Sequence, residues 1–177
     1  MKKLIVLEGG DGSGKSTCAT ELAKAIGGML YRNPPSKFEE LRPCIEETKD
    51  YNLRFYYYFT GNLYASWEIK ELLKSTHVVC DRYMFSTLAY HRVLGVAIPE
   101  GIEKLLLNPD YSFCLYAQPE EIKKRIGIRS KTGTFDTNFE LQEKVFKEMQ
   151  KLNMEFLDTS KATVEESVQK ILKKICL

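Results

Sequence analysis

Gly9-Gly10-Asp11-Gly12-Ser13-Gly14-Lys15-Ser16 decides the fold. It satisfies the eight-position phosphate-loop pattern, with Gly9, Gly14, Lys15 and Ser16 in the required places. Only a glycine-rich turn leaves successive backbone N–H groups unobstructed and pointing inward, where they can wrap a polyphosphate. Gly10, Gly12 and Gly14 keep this turn free of bulk. Upstream, residues 3–8 form a short apolar run of the kind expected for a buried parallel strand. Downstream, Lys15 to Ile26 reads as a helix whose positive N-terminal end would face the same phosphates. The stretch therefore predicts binding of a nucleoside triphosphate, with Lys15 reaching the β and γ phosphates and Ser16 holding Mg²⁺. The glycines alone would fit an ordinary turn; Lys15, Ser16 and the two flanks make the pattern specific.

The 177 residues fit one domain with a single buried core. Lys and Arg total 26 against 24 Asp and Glu, so no global basic field points to nucleic acid or a membrane surface. Five scattered cysteines make no Cys-x-x-Cys pair, and Cys80 and Cys114 sit inside apolar runs as small hydrophobes. The odd count, with no signal peptide and no long apolar span, favours a reducing, cytoplasmic setting.

Apolar runs at 3–8, about 28–31, 76–80, 111–117 and 154–157 alternate with helical patterns, which predicts a parallel sheet covered by helices on both faces. The longest helix is expected over 51–74, and two more over 139–152 and 163–175. Pro99 and Pro119 fall where helices would start. Ligands bind beyond the carboxyl ends of the strands of such a sheet. Three places qualify: the phosphate loop, Tyr31-Arg32-Asn33-Pro34 and Asp81-Arg82-Tyr83.

Glu8 to Thr17, taken with the run Asp81-Arg82-Tyr83-Met84-Phe85-Ser86-Thr87-Leu88-Ala89-Tyr90, resembles the thymidylate kinase family. That family carries Glu-Gly-x-Asp-x-x-Gly-Lys-Ser-Thr, an Asp-Arg-Tyr after its third strand and a following Ser-x-x-Ala-Tyr. The resemblance extends to Phe59-Thr60-Gly61-Asn62, to a basic segment near 125–136 and to Leu157-Asp158-Thr159-Ser160-Lys161. It implies a three-layer α/β/α P-loop kinase fold: a single domain over 1–177, a five-stranded parallel sheet in the order 2-3-1-4-5, and a short lid at about 125–136. The implied reaction moves the γ-phosphoryl group of ATP, with Mg²⁺, onto the phosphate of a nucleoside monophosphate, dTMP first.

Such a transfer needs two anions in line in a dry cleft, with cations where charge accumulates. The resemblance gives ATP the cradle Gly10, Asp11, Gly12, Ser13, Gly14, Lys15, Ser16 and Thr17, with Arg125 against the adenine. Arg82 and Arg32, at strand ends, would clasp the acceptor phosphate with paired N–H groups. Asp81 would hold Mg²⁺-bound water or orient Arg82; a surface ion pair is the plainer reading. Asp11 corresponds to a contact with the acceptor sugar, Phe59 to a ring stacked on its base and Tyr90 to a ring crowding its sugar. Judged by helical spacing alone, both rings read equally as core. Gly12 stands where some members have an arginine, so the catalytic cation is expected from the lid, at Arg129 or Lys131. Lys123 and Lys124 read as a solvated helix end.

The match departs from the family in three places. Leu63 occupies the position of an arginine that reads the base, His91 replaces a glutamine, and the segment after Arg32 lacks paired glycines. A deoxynucleoside kinase, which would need a general base after the second strand, is the enzymatic alternative; Arg32-Asn33 there favours a phosphate acceptor. An inactive nucleotide-binding switch is the alternative of another class, though no Asn-Lys-x-Asp guanine-reading segment is present. The aromatic run 55–59 covers more than one helix face, so some rings should meet another surface. A homodimer contact is one reading, and the family resemblance implies it too.

Overall fold

Leu4 to Leu7 are fully buried because β1 (Leu4–Glu8) is the middle strand of the sheet and is covered on both faces. The computed structural model describes residues 1–127 and 138–177. The remaining strands are β2 (Met29–Arg32), β3 (Val78–Asp81), β4 (Tyr111–Tyr116) and β5 (Glu155–Asp158). All pairings are parallel, and the order is β2-β3-β1-β4-β5, as the resemblance implied.

Side chains of β1 alternate between two cores. Ile5 and Leu7 meet α1 (Lys15–Ala25) and α7 (Val164–Leu172) through Ala19, Leu22, Val168 and Ile171. Leu4 and Val6 share the opposite core with Phe55 and Ile69 of α3 (Tyr51–Leu72) and Leu88 of α4 (Met84–Val93). Each of these large side chains contributes about 1.5–3 kcal/mol on burial. The edge strands β2 and β5 carry no buried residue, which is why their sequence signal is weaker.

Between β2 and α3 lies the short α2 (Arg42–Glu47). α3 starts where Asp50 accepts from the Asn52 and Leu53 amides, at 2.9 and 3.1 Å. Pro119 begins α5 (Pro119–Gly127), as its position suggested. Pro99 differs: only a 3-10 turn, Ile102–Leu105, follows it. α6 (Phe139–Met149) adds Val145 and Met149 to a third cluster around Cys114. No helix among the described residues is long and apolar enough to cross a membrane.

The register brings the carboxyl ends of three strands to one edge: Arg32 of β2 pairs with Asp81 of β3, and Leu7 of β1 with the same Asp81. This edge carries the site.

Candidate active site

The phosphate loop leaves β1 through backbone that side chains rarely adopt. Gly9, Gly12 and Gly14 have φ of 137, 79 and 84°. At Gly9 a Cβ would lie 2.1 Å from the Leu115 carbonyl oxygen, so the loop passes too close to β4 for any other residue. Thr159, just past β5, ties the loop from the other side by donating to the Ser13 and Tyr116 carbonyls at 2.8 and 3.0 Å.

At the head of α1, Lys15 is buried, and its Nζ lies 3.2 Å from Asp81 Oδ1 and 3.5 Å from Ser16 Oγ. Burial, and then the Arg82 charge, push its pKa down against the pull of Asp81. Ser16 and Thr17 are exposed at the helix start. Asp81 and Ser16 thus offer hard oxygen donors around one ammonium, a set that suits Mg²⁺, which keeps most of its waters and takes phosphate oxygens. No cluster of three or more His, Cys, Asp or Glu placed to hold a metal occurs among the described residues, so such an ion would rely on nucleotide oxygens as well.

Arg82 is held in the left-handed region, φ 67°, the one positive-φ residue other than glycine among those described. For a bulky residue this is strained. Glu8 explains why it persists. Fully buried at the end of β1, its carboxylate accepts from the Tyr83 and Ser86 amides at 2.8 and 3.2 Å and from the Ser86 hydroxyl. Burial raises its pKa, partly offset by those donors and by Arg82. The start of α4 is so anchored, and the chain must turn sharply at Arg82. Its guanidinium then reaches the phosphate loop, donating to Asp11 at 2.7 Å, with Ser86 at 3.4 Å.

These groups open onto one cleft of about 500 Å³. Asp11, Lys15, Ser16, Arg32, Asp81, Arg82 and Tyr90 all line it. Arg32 is exposed at the end of β2. Tyr90 donates to Gln142 of α6 at 2.8 Å. Phe59 goes elsewhere: it is 5% exposed, stacks on Phe55 with centroids 5.7 Å apart and belongs to the core, while its neighbour Tyr58 lines the cleft. Leu63 is exposed on the outer face of α3 and does not line the cleft. Arg125 lies across the phosphate loop, donating to the Gly12 carbonyl at 3.2 Å and the Thr159 carbonyl at 2.8 Å, and pairs with Glu121. Arg129, Lys131 and most of the lid expected at 125–136 lie outside the described residues.

The thymidylate kinase family model matches residues 7–175, which includes the phosphate loop and the Arg82 turn. The chain belongs to the thymidylate kinase family. A probable thymidylate kinase of Methanocaldococcus jannaschii is 32% identical over 95% of this chain and 93% of its own. A thymidylate kinase of Caldicellulosiruptor saccharolyticus is 30% identical over 98% and 95%. In fold, the chain is similar to the solved thymidylate kinase of Candida albicans, with a TM-score of 0.81, 21% identity and coverage of 98% of this chain and 91% of the other.

Three residues of this family member that shape the site had no role assigned from sequence. Glu8 is a charge closing an apolar strand, a pattern that itself signals a buried, partnered carboxylate. Thr159 stood within the matched run Leu157 to Lys161 but with no role of its own. Arg54 gave a local signal: it is the one charge between Tyr51 and Trp67 in an aromatic helix, and it is buried and lines the cleft.

Proposed function

We propose that this member of the thymidylate kinase family transfers the γ-phosphoryl group of ATP to dTMP, giving ADP and dTDP, as a single domain in the reducing cytoplasm. The observation that supports it is the convergence of Lys15, Asp81 and Arg82 on one cleft, with Arg32 at the adjacent strand end. Lys15 and the loop amides bind the donor phosphates. Arg82, held on one edge by Asp11, grips the acceptor phosphate and sets its line of attack. Asp11 positions that guanidinium and is within reach of an acceptor sugar at the same spot. When bound, Mg²⁺ supplies charge neutralisation on the transferring phosphate oxygens, with Ser16 and Asp81 as its protein ligands. Arg125 closes the adenine side, and the family resemblance assigns the remaining cation to Arg129, outside the described residues. A phosphate acceptor needs no general base, and Arg32-Asn33 after β2 supplies none.

The working unit in this reading is a homodimer. Leu53, Tyr56, Leu63 and Trp67 are exposed along one face of α3, a stripe that a two-fold related copy would cover with its own equivalent.

The test of the reaction is ADP formation from ATP and Mg²⁺ with a panel of nucleosides and nucleoside monophosphates. Stimulation by dTMP and not by thymidine is expected; stimulation by nucleosides alone would indicate a deoxynucleoside kinase, and by nothing a binding module.

A further inference from the structure

The turn after β5 joins β4, α5 and the phosphate loop. Thr159 in this turn is 3% exposed, and its backbone N–H donates to the Tyr116 carbonyl at the end of β4, at 2.8 Å. Its Oγ1 lies 2.8 Å from the Ser13 carbonyl oxygen and 3.3 Å from Arg125 Nη1. Beside it, Ser160 Oγ accepts from the Gln118 amide at 2.8 Å, just ahead of α5, while Asp158 holds Ser160 by accepting from its amide at 2.8 Å.

A guanidinium only donates, and a carbonyl only accepts. The Thr159 hydroxyl therefore takes a hydrogen bond from Arg125 and gives its own proton to the Ser13 carbonyl, sharing it with the Tyr116 carbonyl at 3.0 Å. One side chain thus links α5 to the loop. The direction of the second bond matters, because in a trans peptide the C=O and the following N–H point opposite ways. With the Ser13 carbonyl held outward by Thr159, the Gly14 N–H is aimed into the cradle, where a phosphate would sit. Arg125 is fixed at the same time. Its Nε donates to Glu121 at 2.8 Å, Nη1 to the Gly12 carbonyl at 3.2 Å as well as to Thr159, and Nη2 to the Thr159 carbonyl at 2.8 Å. The edge of the guanidinium is committed, which leaves its flat faces for stacking.

We infer that Thr159 is the positioning residue of the donor site: its hydroxyl sets both the loop amide that meets the ATP phosphates and the guanidinium plane that meets the adenine. The inference rests on the reading of Gly9 to Ser16 as the ATP site and of Arg125 as the adenine contact.

The test is calorimetric titration of ATP, inorganic tripolyphosphate and dTMP into the intact protein with Mg²⁺, alongside initial rates of ADP formation. Thr159→Val keeps the shape of the side chain and removes the hydroxyl. It should weaken ATP by about tenfold or more and tripolyphosphate by a smaller factor, since only the loop half of the link touches a ligand without a base. Binding of dTMP and its KM should stay as they were, and a cooperative melt shows each variant folded. Thr159→Ala should act like Thr159→Val, and Thr159→Ser, which restores the hydroxyl, should recover most of the ATP affinity. In an Arg125→Met background, Thr159→Val should weaken ATP only as much as it weakens tripolyphosphate. Wild-type affinity for ATP in Thr159→Val overturns the inference and leaves the kinase reading standing. Parallel loss of ATP and dTMP, or a loss that Thr159→Ser does not repair, also overturns it, because disturbed packing alone would produce either. The predicted pattern of binding with no ADP formed from ATP and dTMP keeps the inference and sinks the reaction, whereas a wild type that binds neither ATP nor tripolyphosphate sinks both.

Discussion

At Gly9 a single hydrogen separates a working phosphate loop from a collision. With φ of 137° and a would-be Cβ 2.1 Å from the Leu115 carbonyl, Gly9→Ala combines backbone strain with overlap against a strand that cannot move. A loss of more than about 3 kcal/mol in denaturant unfolding is expected. Arg82 is the contrasting case, because in the proposed reaction its strained backbone aims the guanidinium at the acceptor phosphate, and its ion pair with Asp11 is partly exposed. Arg82→Asn, which adopts the left-handed region readily, should abolish turnover while stability stays within about 1 kcal/mol of wild type. His91 adds a pH dependence with a definite sign. Its ordinary pKa of 6.5 falls to about 4 in the fold, chiefly by burial, with the Arg54 charge pushing the same way and the Thr87 carbonyl opposing. The unfolded chain thus binds the proton more readily, and stability is lost as pH falls from about 6.5 towards 4. The loss at pH 5 is about 2 kcal/mol. Comparing melting at pH 7 and pH 5 should show this component in the wild type and its absence in His91→Phe.

Among the elements, α3 and α4 do most to shape the cleft, and a buried amide holds them together. Asn33 beyond β2 donates to Asn62 at 2.6 Å, and Asn62 donates to Thr87 at 3.0 Å. Asn62 is fully buried, so Asn62→Ala leaves polar groups of both neighbours without this partner. A stability loss of about 1–3 kcal/mol is expected, together with a raised KM for the acceptor and an unchanged KM for ATP. The long helix also marks where sequence reading reached its limit. Its extent was readable from apolar spacing and the absence of proline, but which ring faces the cleft was not. Tyr58 and Phe59 differ by about 100° around the axis, and only the packing of α3 on Met84 and Leu88 of α4 turns Phe59 into the core and Tyr58 towards the cleft. Asp81 and Arg82 were readable because they follow a strand in the chain itself. The contacts of Arg125 with Gly12 and Thr159 were not, since they join segments 113 and 34 residues apart.

For the whole molecule, the parallel order β2-β3-β1-β4-β5 places β1 centrally and delivers the phosphate loop, Arg32 and Asp81 to a single edge. The motif order along the chain carried that much. It could not show that Leu63, which stands where the family has a base-reading arginine, lies on the outer face beside Tyr56 and Trp67. If that face pairs two copies, Trp67→Glu should convert a dimer into a monomer in sedimentation at micromolar concentration, whereas a wild type that sediments as a monomer contradicts the pairing. The central claim is phosphoryl transfer between two nucleotides, and it is tested most directly by separating the products of ATP, Mg²⁺ and dTMP on an anion-exchange column. Equal amounts of ADP and dTDP from the wild type, and neither from Lys15→Ala, are the predicted result; ADP without dTDP, or no product at all, would contradict it.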